Sequence, residues 1–373
     1  MTPMASSADV AAPYDALLLL SFGGPNRAED VTPFLRNVVR GKNIPDERLE
    51  AVGEHYHVFA GKSPINQQNL ALREALEAEL GRRGIRLPVI WGNRNWHPYT
   101  VDTVRDALAF GARRILVLVT SAFASYSGSR QYREHLALML EELGASAHGL
   151  QIDLLRPFFN DPGFAEANIE AIAAAGSELP GGLDGAHVVY VTHSIPDTMQ
   201  DASAMTGPGY REQHEDLQRV IDDELRRRHG VELTSSLSYC SRSGSPRTPW
   251  LEPDVNDHLE SLAAADTRRV VIAPIGFVSD HMEVIYDLDI EAMETAAKVG
   301  ITAARAGTAG TAAPFVSGIV DMIVERAARE RGLTPEVPVV GSLPAFPDVA
   351  PPGSCRMRHG EVTGIPVVAG TED

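Results

Sequence analysis

The sequence predicts an α/β protein of two similar lobes, each a parallel β-sheet flanked by helices, with a cleft between them. Three observations predict it. Four short runs, "ALLLL" (16–20), "RILVLV" (114–119), "HVVYV" (187–191) and "RRVVIAPI" (268–275), are apolar at consecutive positions, as strands buried on both faces must be. Helical patterns lie between them, among them "NQQNLALREALEAELGRRG" (66–84) and "YREQHEDLQRVIDDELRRRHG" (210–230). Both end in basic residues and Gly, which complement a helix C-terminus and stop it. The chain also repeats itself: "LLLLSFGGP" (17–25) matches the layout of "VVYVTHSIP" (188–196), a separation of 188 − 17 = 171 residues. "GARRILVLVTSAF" likewise resembles "DTRRVVIAPIGFV", with 268 − 113 = 155. Such a repeat points to duplicated supersecondary units.

In chain order, the Ala/Ser-rich residues 1–13 are expected to be disordered. Residues 14–170 form the first lobe, 171–331 the second, and 332–373 a Pro-, Gly- and Val-rich extension without a clear helix. Weaker strands are expected at 87–93, 149–157 and 232–240, completing the sheets beside the strong ones.

Composition narrows the function. A length of 373 residues suggests about two domains of ~150–200 residues. A formal net charge of −17 with no basic patch argues against nucleic acid and is compatible with a cation site. Two distant cysteines, Cys240 and Cys355, exclude a disulfide framework or a four-cysteine metal site within the chain. No window approaches the ~20 apolar residues of a membrane span. The N-terminal region lacks a basic segment followed by a secretory apolar run, so the expected location is cytoplasmic.

Ligands of such sheets bind outside the carboxyl ends of the strands. The turns after the strong strands are "SFGGP", "TSAFASYSGSRQY", "THSIP" and "GFVSDHMEV". His193 lies in the third. Its imidazole suits proton abstraction near neutral pH or ligation of a borderline metal such as Fe(II), although a lone His at a strand end is more often structural. The fourth opens an acidic run holding Asp280, His281, Glu283, Asp287, Asp289 and Glu291. Glu283, Asp287 and Glu291 are spaced i, i+4, i+8 and form one stripe on a helix. Like charges at that spacing destabilise an isolated helix, and no Lys or Arg follows until Lys298. A solvated helix start with Asp280 as N-cap is the bland reading; a cation path or proton relay is the functional one. "SFGGP" has too few glycines in the wrong pattern for a dinucleotide fingerprint, so NAD binding is disfavoured.

These motifs together resemble the ferrochelatases, enzymes that insert Fe(II) into a porphyrin in haem synthesis. The resemblance runs from about Asp15 to Arg331 and is carried by "SFGGP", "GKSPINQQ", "GNRNWHPY", "SAFASYSGSRQY", "THSIP" and "PIGFVSDHMEVIYDLDIE". It is closest to the actinobacterial type, which is similar to coproporphyrin III ferrochelatases. It implies a chelatase-like pair of Rossmann-like lobes. His193 and Glu283 become the catalytic and metal-contacting pair, facing each other across the cleft. Ser63 and Tyr132 become porphyrin contacts, and Asp287 and Glu291 an accessory acidic stripe. Iron and a porphyrin are then the partners, iron as substrate, and the chain is expected to be a monomer. Two departures stand out. Where some members have a tyrosine able to ligate the product iron, this chain has Phe22. Where some hold an iron–sulfur cluster through four cysteines, the tail offers only Cys355, so no cluster is expected. Protoporphyrin IX as substrate, a chelatase for another metal or tetrapyrrole, and a non-catalytic tetrapyrrole carrier remain as alternatives.

Overall fold

The computed structural model describes residues 9–41, 44–243, 247–361 and 363–370. Its first sheet contains β1 (Ala16–Ser21), β2 (Val89–Asn93), β3 (Arg114–Val119) and β4 (Gln151–Leu154), in the order β2-β1-β3-β4. The second contains β5 (His187–His193), β6 (Thr234–Cys240), β7 (Arg269–Ala273) and β8 (Thr302–Arg305), in the order β6-β5-β7-β8. All pairings are parallel, and the two orders are the same once β5 is equated with β1. The duplication seen in the sequence is therefore a duplication of topology.

The apolar runs form strands because both faces of each sheet are covered. Along β1, Leu17 and Leu19 enter one apolar cluster while Leu18 and Leu20 enter another, as the two-residue pleat requires. Along β5, Val188 and Tyr190 join the first of those clusters, whereas Val189 and Val191 face a third. The inner faces of both sheets thus share one core, and each lobe keeps its own outer one. Helices Ile65–Arg82, Pro162–Glu178, Tyr210–His229 and Ala313–Glu330 supply the inner layer. At roughly 1.5–3 kcal/mol per fully buried aliphatic side chain, this shared core holds the lobes together far more firmly than surface ion pairs could.

Strand β8 had no counterpart among the expected elements, because "TAAR" is short and only partly apolar. Helix Pro162–Glu178 runs across the expected division at residue 170 and packs against β7 and β8 of the second sheet. Of the stretch expected to be disordered, residues 1–8 lie outside the described residues, but residues 9–13 are anchored at Ala11 and by Arg331. Ala11 is fully buried, and the Arg331 guanidinium donates to the Val10 and Ala12 carbonyls. Among its described residues the C-terminal extension forms no helix, and it runs over both lobes. Asp216 of the second lobe accepts from Ser342, while Arg133 of the first donates to the Val368 carbonyl. Among the described residues, no helix is long and apolar enough to cross a membrane.

Candidate active site at the ends of the second sheet

β5 ends at His193 because Ser194 turns away, its amide donating to the Cys240 carbonyl and its hydroxyl to that of Leu251. The imidazole Nδ1 lies 2.5 Å from the Ser194 carbonyl. That acceptor assigns the proton to Nδ1 and leaves Nε2 bare in the neutral ring. Tyr210 fixes the same strand end: its hydroxyl donates to the His193 carbonyl (3.1 Å) and pairs with Thr192 Oγ1 (2.6 Å).

The segment after β7 passes close over this point. At Gly276 an added Cβ would meet Thr192 Oγ1 at 2.1 Å, so a residue without a side chain is needed there. The chain then brings Glu283 Oε2 to 3.6 Å from His193 Nε2. The expectation that these residues face each other across the cleft is corrected. Both stand on the second lobe, at the ends of adjacent strands, and form one pair.

Their electrostatics follow from that contact. Burial pulls the His193 pKa down, but the hydrogen bond and charge of Glu283, helped by the Ser194 carbonyl, outweigh it and the net direction is up. For Glu283, burial pushes up, whereas the hydrogen bond and charge of His193 bring it down to about 2. The side chains are 35% and 49% exposed, so cleft solvent screens the pair; the directions stand, and Glu283 is ionised at neutral pH.

Glu283 lies in a one-turn α-helix, Met282–Val284, continuous with a π-helix, Ile285–Ala292. The acidic stripe therefore sits on the wider i→i+5 turn rather than on an α-helix. A spacing of four falls slightly short of that turn, as it slightly exceeds an α-turn, so the three carboxylates still share one side. Asp287 accepts a short hydrogen bond from the Ser241 hydroxyl. Burial raises its pKa, Ser241 lowers it, and the charges of Glu283 and Glu291 raise it further, to about 7. Glu291 is also raised, by burial first, with His55 opposing.

Asp280 is not the N-cap. His281 holds that position, without a side-chain cap bond. Asp280 instead pairs with Arg305 of β8 at 3.1 Å, and Arg305 also binds Asp289 (2.6 Å). The counter-charge that the local sequence lacks comes from a neighbouring strand. His281 is lowered by burial and packs edge-on to Phe277.

The first lobe covers this site with apolar and aromatic groups. Phe34 meets Phe22, Tyr56 and Trp96 edge-on, and Met282 of the second lobe joins the same cluster. His55 stacks on Tyr286 at 3.9 Å. Tyr132 is buried beneath the Arg94 guanidinium, 4.7 Å from its ring centroid, and Phe22 lies 5.8 Å from the same cation. Ser63 is buried against Gly24 of the "SFGGP" turn. Reasoning from sequence singled out His193, Glu283 and Asp287 but set His193 across the cleft from Glu283, whereas the structure puts those two side by side. It missed Arg94, His55, Tyr210, Tyr286 and Ser241, whose roles depend on contacts between distant segments. The only available signal for Arg94 was its place in the turn after β2.

Comparison with known proteins identifies the family. Residues 14–327 match the family described as Ferrochelatase. A coproporphyrin III ferrochelatase of Streptomyces coelicolor is 50% identical over 355 residues, covering 93% of this chain and 95% of that protein. One of Leifsonia xyli is 45% identical over 360 residues, covering 92% and 91%. A ferrochelatase of Rhodopirellula baltica is 43% identical over 344 residues, covering 92% and 93%. Among solved structures, the sirohydrochlorin chelatase SirB from Bacillus subtilis subspecies spizizenii in complex with cobalt superposes with a TM-score of 0.48 at 11% identity, covering 85% of this chain and 97% of that one. With a family match over most of its length and relatives this similar, the chain belongs to the ferrochelatase family.

Proposed function

We propose that this protein inserts Fe(II) into coproporphyrin III to give its iron complex, with His193 and Glu283 as catalytic and metal-contacting residues. The observation that carries the reading is the contact of His193 Nε2 with an ionised Glu283, close to an aromatic cluster that the first lobe shares with Met282. Its ligand chemistry suits the task. Glu283 favours the protonated ring; once Nε2 has released its proton, the imidazole, held at Nδ1 by the Ser194 carbonyl, accepts a pyrrole proton or ligates iron. The Glu283 carboxylate holds the dication. Asp287, titrating near neutrality, accepts and passes on protons or hands iron inward. Half-buried Phe22 and Trp96, backed edge-on by buried Phe34, offer apolar surface to a flat macrocycle. Strain that turns the pyrrole nitrogens toward the metal is then drawn from binding energy at the macrocycle edge.

Ser63 and Tyr132 remain porphyrin contacts by resemblance. Both are buried, so contact requires movement of the cover over each, the Gly24 turn and Arg94. No oxidation or reduction is involved in the insertion, so neither a nicotinamide nor a flavin is called for, and Cys240 and Cys355 cannot supply four thiolates for a cluster. A cytoplasmic monomer fits these features. The choice of coproporphyrin III over protoporphyrin IX rests on the relatives from Streptomyces and Leifsonia. The test is anaerobic Fe(II) insertion into each porphyrin by the purified protein, followed by absorbance. A higher kcat/KM for coproporphyrin III is expected. Preference for protoporphyrin IX overturns the substrate, and binding without insertion overturns the enzyme in favour of a carrier.

A further inference from the structure

Two glutamines in equivalent places tie the lobes together. Helix Ile65–Arg82 lies between β1 and β2, and helix Tyr210–His229 lies between β5 and β6, so the two are topological counterparts. Gln68 is the fourth residue of the first, and Gln213 the fourth residue of the second. Each reaches into the opposite lobe and binds the loop after its third strand. Gln68 Oε1 accepts from the Asp280 amide at 2.8 Å, and its Nε2 lies 3.4 Å from Asp280 Oδ2. Gln213 Oε1 accepts from the Ala124 amide at 2.8 Å, and its Nε2 donates to the Ala124 carbonyl at 3.0 Å and the Pro208 carbonyl at 2.9 Å. Ala124 follows β3 as Asp280 follows β7.

We propose that Gln68 and Gln213 are paired positioning residues that set the two functional loops across the cleft, Gln68 holding the iron-binding turn and Gln213 the loop 121–132. A side-chain amide bonded at both its oxygen and its nitrogen fixes orientation as well as distance. Gln68 grips the chain three positions before Glu283, on a residue whose carboxylate is held from its other side by Arg305. Asp280 is thus pinned between a first-lobe helix and β8. Gln213 grips the segment that leads to Tyr126, Arg130 and Tyr132. Each lobe in this way positions the other's strand-end loop, and the cleft aperture is defined from both sides.

The kinetic part of this inference rests on the proposed iron insertion; the structural part does not, and the test separates them. In Gln68→Met, which keeps the length and volume of the side chain, amide hydrogen exchange at Asp280 is expected to rise about tenfold for the lost hydrogen bond, with Ala124 unchanged. Gln213→Met is expected to do the reverse. In kinetics, Gln68→Met is expected to raise the KM for Fe(II) about fivefold or more, while porphyrin affinity, read by fluorescence quenching, stays at the wild-type value. Gln213→Met is expected to weaken porphyrin binding instead. Should the fully buried Gln213 variant fail to fold, Gln68→Met and the shorter Gln68→Asn decide alone, both with wild-type melting temperatures. Unchanged exchange at Asp280 in the Gln68 variants overturns the pin. Faster exchange with an unchanged KM for iron overturns its positioning role. If the wild type inserts no iron, the exchange result still decides whether the pins exist.

Discussion

Replacing Asp287 by Asn removes a carboxylate whose titration is raised into the working pH range. Burial and the charges of Glu283 and Glu291 raise Asp287 to about 7, against the pull of the Ser241 hydrogen bond. Its ionised fraction therefore climbs from about 10% at pH 6 to about 90% at pH 8. If the ionised form receives iron, the Asp287 contribution makes apparent Fe(II) affinity rise by up to about tenfold over that interval. Stability moves the other way. A carboxylate whose folded pKa is raised stabilises the fold below its unfolded value of 3.8, and that stabilisation is lost as pH climbs through 7. Between pH 6 and 8 the full linkage loss is ~1.4 kcal/mol, reduced to about 1 kcal/mol by solvent screening on the cleft side. Asp287→Asn should remove the Asp287 share of both slopes at once. His193, also raised, contributes its own proton release to the kinetics and persists in the variant. The assay is the KM for Fe(II) and the urea midpoint of both proteins at intervals from pH 6 to 8. A variant that keeps the wild-type pH dependence of both quantities would refute a titrating Asp287.

Other perturbations follow from the same geometry. His193→Ala and Glu283→Gln should each lower insertion at least about a hundredfold while porphyrin binding, measured by fluorescence, persists; normal turnover by either would remove it from the site. Tyr210→Phe deletes the hydroxyl shared by Thr192 and the His193 carbonyl. It should cost about 1–3 kcal/mol of stability in denaturant melts and lower kcat more than either KM. Phe346 anchors the C-terminal extension against Phe159, so Phe346→Ala should destabilise by about 3 kcal/mol and expose the extension to protease.

The four strong strands were legible because a strand covered on both faces must be apolar throughout, which is a local property of its own residues. β8 was not, since "TAAR" owes its pairing to β7 rather than to its own composition. The repeat at 171 and 155 residues was visible for a similar reason: duplicated strands keep their apolar pattern and the turn that follows. Residues 9–13 looked free because nothing local orders them, and Arg331 does so from the far end of the chain.

For the site, the sequence by itself picked out the residues proposed here to carry the chemistry. His193, Glu283, Asp287 and Glu291 follow strand ends or a helical spacing, and both are set by short-range geometry. Only the tertiary structure decided how they are used. It put His193 and Glu283 side by side on one lobe, 3.6 Å apart, because β5 and β7 are adjacent in the second sheet. It took Asp280 away from a capping role by supplying Arg305 and Gln68 as partners. And it moved the Asp287 titration to about 7, because a pKa depends on burial and on charges brought near in space, and neither is written in the order of residues.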